Sequence, residues 1–383
     1  MLESITHLTK LSIKYNIPKE DLLLIDLNLR GVNFEIPSGR VRLELKSLNK
    51  EIFSLAHSKN IYNFYLAIPT RKSPYYFKND YLFWKENLIG QAIGITEDFC
   101  DTSYPRRGGT VLNLNPNART LCKGCKFCYT AFQIPRDREA LIEKDKLRKF
   151  LKNWLKEFEL NNLSHLIQVA IVTGCFPSEK DVVKFLKMAK KVLDEFSFKG
   201  ELFYFGSQIT TKKSLLELEK LKPLGICFSL ECFNKKARQY FLRDIKRKVN
   251  LDTIKQVLTF ANSLGFRTNF SYIVGLEPLS TIEKGFYEFS KYVNSFPIIN
   301  IFQAHRGQEK LRCKEANKIE YYIKARKIIE KIFTPFSFRP RPWENYRSLW
   351  YIKFGNEFLD DIRTPLPSPQ HKLFNKIVAC KRK

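Results

Sequence analysis

The 383-residue sequence contains no run of about 18 or more apolar residues, so no membrane-spanning helix is expected. Its start, Met1 to Lys10, lacks a basic region followed by an apolar stretch and a small-residue cleavage site, which argues against a secretory signal. The cysteines are nine, an odd number, at positions 100, 122, 125, 128, 175, 227, 232, 313 and 380. With no signal pattern, that count excludes a disulfide framework as the simplest reading and suits a reducing, cytoplasmic compartment. No internal repeat or low-complexity tract stands out.

What is there in excess is positive charge. The formal net charge is +27, from 66 Lys and Arg against 39 Asp and Glu. Such a balance fits an acidic partner: nucleic acid, an acidic peptide or an acidic electron carrier. The blander reading is base composition, because Lys, Asn, Ile and Phe are all abundant and Lys outnumbers Arg two to one. A dedicated nucleic-acid binder leans harder on Arg.

The chain changes character near residue 100. Residues 1–95 read as a small mixed α/β module. In it, Gly31 to Pro37 and Val41 to Leu45 flank a Pro37-Ser38-Gly39 turn and are expected to form a hairpin. From 105 to 335, apolar strand candidates alternate with amphipathic helices. The strands are 110–114, 166–172, 201–205, 225–230, 268–274 and 298–302. The helices are 137–159, 178–196 with Ser178 as cap, 214–221, 251–264 closed by Gly265, 281–293 and 316–333. Six βα units imply a parallel sheet with helices outside, open or closed into a barrel, with chemistry at the carboxyl ends of the strands. Residues 336–383, rich in Pro, Arg and aromatics, are expected to cap that barrel.

One loop carries chemistry. Cys122, Cys125 and Cys128 stand at i, i+3 and i+6 directly after the first strand, with Gly124 between them and Lys123 and Lys126 alongside. A C-x2-C-x2-C run suits three corners of an iron–sulfur cubane. A structural zinc site needs a second close pair of Cys or His, and none follows. A ferredoxin-type carrier needs a fourth Cys before Pro, also missing. Three protein ligands leave one iron open for a substrate or cofactor, the logic of an open catalytic metal.

These residues resemble the cluster loop of the radical S-adenosylmethionine (SAM) superfamily, one residue shorter than that family's usual C-x3-C-x2-C. The resemblance runs over roughly residues 105–335. It implies a partial (β/α)6 barrel, a [4Fe–4S] cluster on Cys122, Cys125 and Cys128, and SAM chelated to the fourth iron. It also implies reductive cleavage to a 5′-deoxyadenosyl radical that abstracts hydrogen from a substrate. By the same resemblance Phe127 packs near the adenine. Thr173 and Gly174 hold the SAM amino group through their backbone. Ser229 and Glu231 meet the ribose or methionine part, Arg243 the SAM carboxylate, and Gly275, followed by Glu277, the adenine. A flavodoxin or ferredoxin-type reductant would be the electron source.

Outside that set, Cys175, Cys227 and Cys232 are read as buried barrel residues before a second cluster, since Cys227 and Cys232 face opposite ways on one strand. His305 and Arg306, in a polar loop after the sixth strand, are candidates for substrate binding. Trp343, Tyr346 and Arg347 either stack on a base or a sugar or, as the simpler reading, are core or packing residues of the cap. Arg106 and Arg107 either touch phosphate or are solvated. The substrate stays open between RNA, peptide and small natural product. The alternative reading is an RNA-binding protein whose cysteines hold a structural iron–sulfur or zinc site.

Overall fold

A computed structural model describes residues 1–359 except 37–38, 62, 99–102, 117–121, 123, 133–140, 173–174, 306 and 345. Helices α1 (Ile5–Tyr15) and α2 (Lys19–Arg30) come first. They are followed by β1 (Arg40–Ser47), α3 (Ser54–Ser58), β2 (Asn63–Pro69), β3 (Tyr75–Lys78), β4 (Tyr81–Trp84) and β5 (Asn87–Glu97). These strands form an antiparallel sheet in the order β2-β1-β5-β4-β3. The expected hairpin between 31–37 and 41–45 does not form. β1 is an interior strand, bonded along one edge to β2 and along the other to β5, so neither edge is left for residues 31–36. Val32 and Asn33 make only isolated bridges to Thr70 and Tyr76.

The second sheet begins with β6 (Tyr104–Arg106) and β7 (Val111–Leu114). There follow α4 (Lys144–Glu157), β8 (Gln168–Val172), α5 (Glu179–Glu195), β9 (Glu201–Gly206), α6 (Lys212–Leu218), β10 (Leu224–Glu231), α7 (Lys235–Phe241), α8 (Asp244–Lys248), α9 (Leu251–Ser263), β11 (Arg267–Val274), α10 (Leu279–Phe289), β12 (Ile298–Ile301) and α11 (Ile319–Phe333). A short hairpin of β13 (Lys353–Phe354) and β14 (Glu357–Phe358) closes the described chain. Strands β7 to β12 are parallel and lie side by side in chain order, with β6 antiparallel at the edge. This is the parallel sheet with outer helices that the alternation implied, curled into the partial (β/α)6 barrel that the resemblance implied. Local signals place its helices: the Ser178, Thr211 and Asn250 side chains accept from backbone N–H groups at the starts of α5, α6 and α9.

Alternation sorts each strand into two faces. Leu112, Ile171, Tyr204, Phe228, Phe270 and Ile299 point outward into the main core. Ala170, Phe203, Cys227 and Ile298 pack with Val172 and Phe205 on the inner face. The sheet is strongly curled. Gln168 of β8 and Arg267 of β11 stand three strands apart, about 14 Å in a flat sheet, yet both donate to one oxygen, Glu344 Oε1, at 2.9 and 2.6 Å. Glu201 of β9 completes this floor at the amino ends of the strands, with its two oxygens each 2.6 Å from the Arg267 guanidinium. The carboxyl-terminal segment therefore plugs the bottom of the half-barrel through Glu344.

A half-barrel leaves one side open, and the antiparallel sheet covers it. Val41, Leu43, Leu45, Phe64, Leu66 and Ile68 face the core shared with α2. The opposite face carries Arg40, Arg42, Glu44 and Tyr65. Arg42 lies 3.4 Å over the Tyr104 ring on β6. At the other edge of the gap, Gln303 beyond β12 donates to the Ala67 carbonyl of β2 at 2.7 Å. Arg326 of α11, fully buried, ties the assembly together through Asp21 of α2 at 2.6 Å and the Leu349 carbonyl at 2.8 Å. No helix among the described residues is long and apolar enough to cross a membrane.

Candidate functional site

The cysteine loop leaves the carboxyl end of β7 and is wound tightly. Gly124 has φ +71°, and a Cβ there would lie 2.8 Å from the Ala131 backbone, so only glycine fits. The Cys128 N–H donates to the Cys125 carbonyl at 2.8 Å, and Ala131 N–H to the Cys128 carbonyl at 3.0 Å. Two outside contacts fix the loop. Lys126 N–H donates to the Phe241 carbonyl at 2.9 Å, and Gln308 Nε2 donates to the Lys126 carbonyl at 2.6 Å. The Lys126 ammonium lies 3.4 Å over the Tyr240 ring. Cys125 is buried and Cys122 and Cys128 are half-buried.

The end of β10 meets this loop. Glu231 is buried, with φ +68°, a left-handed backbone unusual for a residue with a Cβ. Its carboxylate accepts from Lys246 Nζ of α8 at 3.1 Å. Lys246 also feels Cys125 and Cys128. Although burial opposes its charge, Glu231 and the two thiols raise its pKa, so the ammonium form is held firmly. Cys125 is pushed up to about 12, chiefly by burial, while the Lys246 charge and a hydrogen bond from the Arg243 backbone pull the other way. Arg243 contributes its backbone, and its side chain is exposed. The cation that the structure brings to the thiols is Lys246, three residues further along, which sequence reading missed. No local signal in the sequence separates it from the neighbouring basic residues Arg243, Arg247 and Lys248.

The other expected residues fall in two groups. Phe127 packs against the cluster of Cys232, Phe241, Ile273, Leu276, Phe302 and Ala304. Gly275 follows β11 with φ +117°, and a Cβ there would be 3.0 Å from Tyr322 Oη. Phe127 and the Gly275 turn thus share one apolar corner. Ser229 is buried on the inner face of β10, and its Oγ has no protein partner. Glu277 instead builds the scaffold: its carboxylate accepts from Phe233 N, Asn234 N and Tyr272 Oη at 2.9, 2.7 and 2.8 Å, ordering the entry to α7. Thr173, Gly174 and Arg306 lie outside the described residues, as do Cys100 and Cys380.

His305 follows β12 and is buried. Its ring centroid is 4.5 Å from that of Tyr129, the neighbour of Cys128. Burial, then Arg40, Arg71 and Arg347, push its pKa down to about 2, so the imidazole is neutral. Arg106 donates to the Trp343 carbonyl at 2.8 Å and Arg107 lies over Tyr65, so both have partners within the protein. Cys227 is in the inner-face cluster and Cys232 in the corner around Phe127, two separate places. Among the described residues, no group of three or more Cys, His, Asp or Glu stands at metal-binding separation. The fit to a cluster therefore rests on the donor set: three thiols in one glycine-wound loop, a backbone N–H aimed at Cys125, and a half-buried cation to offset thiolate charge.

No protein-family model matches the sequence. No curated protein matches it either. Solved structures do. In fold, the chain is similar to radical SAM enzymes. SuiB of Streptococcus suis, bound to S-adenosylmethionine, gives a TM-score of 0.40 at 15% identity, over 62% of this chain and 51% of SuiB. Coproporphyrinogen III oxidase HemN of Escherichia coli, a radical SAM enzyme, gives 0.38 at 16% identity, over 59% and 51%. The radical SAM methyltransferase TsrM of Kitasatospora setae, with cobalamin and a [4Fe–4S] cluster, gives 0.36 at 7%, over 50% and 36%. The chain spans about half the length of the first two. At these identities the likeness concerns the fold, and the chemistry is read from the residues of the site.

Proposed function

We propose that the protein is a radical SAM enzyme whose cluster is held by Cys122, Cys125 and Cys128. The observation that carries this is the set of groups at the carboxyl ends of β7, β10 and β11: a three-cysteine loop, a half-buried Lys246 paired with buried Glu231 against two of its thiols, and the Phe127–Gly275 corner. When bound, the cluster supplies the electron that cleaves SAM into methionine and a 5′-deoxyadenosyl radical, which takes hydrogen from the substrate. Lys246 offsets thiolate charge and offers a donor to a carboxylate beside the loop. Glu231 and the unpartnered Ser229 Oγ offer acceptors for ammonium and hydroxyl groups. Phe127 and the Gly275 turn give a flat, apolar corner of the kind a purine packs against. Thr173 and Gly174 are proposed for the SAM amino group on sequence grounds.

An acidic flavodoxin or ferredoxin-type reductant is proposed as partner, steered by the net charge of +27, and a cytoplasmic location is proposed with it. The test is anaerobic. The protein is reconstituted with iron and sulfide, then given dithionite and SAM, and 5′-deoxyadenosine is measured. Product from the wild type, and none from Cys122→Ala, Cys125→Ala or Cys128→Ala, is expected. A wild type that holds no cluster and binds no SAM would refute the reading and leave a structural role for the cysteines.

A further inference from the structure

We propose that the exposed surface of α7 and α8, carrying Tyr240, Lys235, Lys236, Arg247 and Lys248, is the docking site of an acidic, flavin-bearing electron carrier of the flavodoxin class. The carrier's role as reductant rests on the function proposed above; the docking surface is tested apart from it.

The segment from Lys235 to Lys248 holds seven basic residues against one acidic residue, Asp244. Two of the seven are used internally. Arg238 is buried and donates to the Leu230 and Cys232 carbonyls at the end of β10 and to the Lys246 and Val249 carbonyls. Lys246 pairs with Glu231. The other five, Lys235, Lys236, Arg243, Arg247 and Lys248, have exposed side chains. Among the described residues, no carboxylate stands at ion-pair distance from any of them. The outer helices α4 and α5 are also rich in Lys, but there Arg148 meets Asp145 and Glu195, and Lys190 meets Asp194. Unmatched exposed cations repel one another, and an acidic partner surface relieves that repulsion.

The surface is preformed. The Arg238 guanidinium ties both helices to the end of β10, and Arg247 Nε donates to Gln239 Oε1 at 2.9 Å, which joins α8 to α7. A partner docking on a surface already held in place has little ordering to offset.

Its position suits electron entry. Lys126, between Cys125 and Cys128, donates its N–H to the Phe241 carbonyl at 2.9 Å, and its ammonium lies 3.4 Å over the Tyr240 ring. That ring touches the cysteine loop, yet Tyr240 is 52% exposed. An exposed flat ring suits the edge of a flavin, and the cations beside it suit the acidic protein that carries the flavin. Electron-transfer partners meet through small, electrostatically steered interfaces, which two short helices can supply. In the step itself the flavin loses one electron and the cluster gains one; no proton or group is transferred. The same charges would attract RNA, but a single exposed ring offers no run of platforms on which successive bases stack.

The test uses the full chain, reconstituted with iron and sulfide. An FMN-loaded flavodoxin, an acidic ferredoxin and a single-stranded RNA oligonucleotide are titrated separately by calorimetry, without SAM, at low and at moderate ionic strength. Flavodoxin should bind one-to-one and more weakly at the higher salt. Lys235→Glu with Lys236→Glu, and separately Arg247→Glu with Lys248→Glu, should each weaken it by about tenfold or more. Lys149→Glu with Lys152→Glu, an equal charge reversal at exposed positions of α4, should weaken it far less. The two patch variants should also lower 5′-deoxyadenosine formation driven by flavodoxin and leave formation driven by dithionite, which needs no docking, unchanged. The proposal is overturned if flavodoxin does not bind the wild type, if the ferredoxin or the RNA takes this patch in its place, or if the α4 variant weakens binding as much as the patch variants. Binding is read without SAM or reductant. Failure to form product with dithionite therefore refutes the SAM-cleavage reading and leaves the docking surface standing, and failure of flavodoxin to bind does the reverse.

Discussion

Replacing Arg267 by methionine should unseat the floor of the half-barrel, and the loss should depend on pH in a defined direction. Arg267 lies between Glu201 and Glu344, with contacts of 2.6 Å to each. Its removal leaves two carboxylates facing each other, Glu344 buried and Glu201 half-buried. Arg341, 3.9 Å from both, can keep one of them ionised. The other escapes by taking a proton. At pH 7 that costs about 2.7 pH units from an ordinary carboxylate value, or about 3.7 kcal/mol, within the range of about 3–5 kcal/mol found for broken buried pairs. At pH 5 the same cost is only about 1 kcal/mol. The wild type adds to this trend. Glu201, although burial opposes it, is held below its usual range by Arg267, so its contribution is present above that range and lost on acidification. The gap between wild type and variant should therefore be wide at pH 7 and narrow near pH 5. Urea unfolding at the two pH values measures it through the midpoint and slope. Adding Glu344→Gln to the variant should recover much of the loss at pH 7. A gap below about 1 kcal/mol at pH 7, or one that does not shrink on acidification, would refute the account of this floor.

Three further outcomes are expected. Lys246→Ala should still take up iron and sulfide but lower 5′-deoxyadenosine formation by about tenfold or more, the worth of one charge-assisted contact; Arg243→Ala, with its exposed side chain, should change little, and an equal effect of the two would contradict the placement of Lys246. Gly124→Ala should cost about 1–3 kcal/mol of backbone strain and lower the iron bound after reconstitution, because the added Cβ meets the Ala131 backbone; normal iron content would show that the loop has room. Glu44, raised to about 7 chiefly by burial, favours folding below its ordinary range and loses that contribution as pH rises through about 7. Glu44→Gln should remove this decline, a difference of about 3 kcal/mol above pH 7, visible in the pH dependence of urea unfolding.

Much of the fold was legible because its signals are local. Ser178 caps α5, Gly265 with φ +76° ends the α9 turn, and apolar runs such as 224–231 and 267–274 mark strands buried on both faces. The cysteine loop was legible for the same reason: three thiols and a glycine within seven residues name their chemistry without a fold. The failed hairpin shows where local reading stops. Residues 31–36 and 41–45 had suitable patterns, but β1 found better partners at residues 63–69 and 87–97, and pairing is decided by which strands are present, not by which are near.

The sequence alone thus determined the βα alternation, the cysteine loop and the rim on which that loop sits, because each depends on spacing within a few turns of chain. Only the tertiary structure decided that Lys246 and not Arg243 turns toward the thiols, that Glu344 closes the floor beside Glu201 and Arg267, and that Arg326 of α11 meets Asp21 of α2. Those groupings join residues up to about 300 positions apart, and no local propensity records them. They exist because a half-barrel must close its floor and its open side, and the segments that do so bring their charges with them.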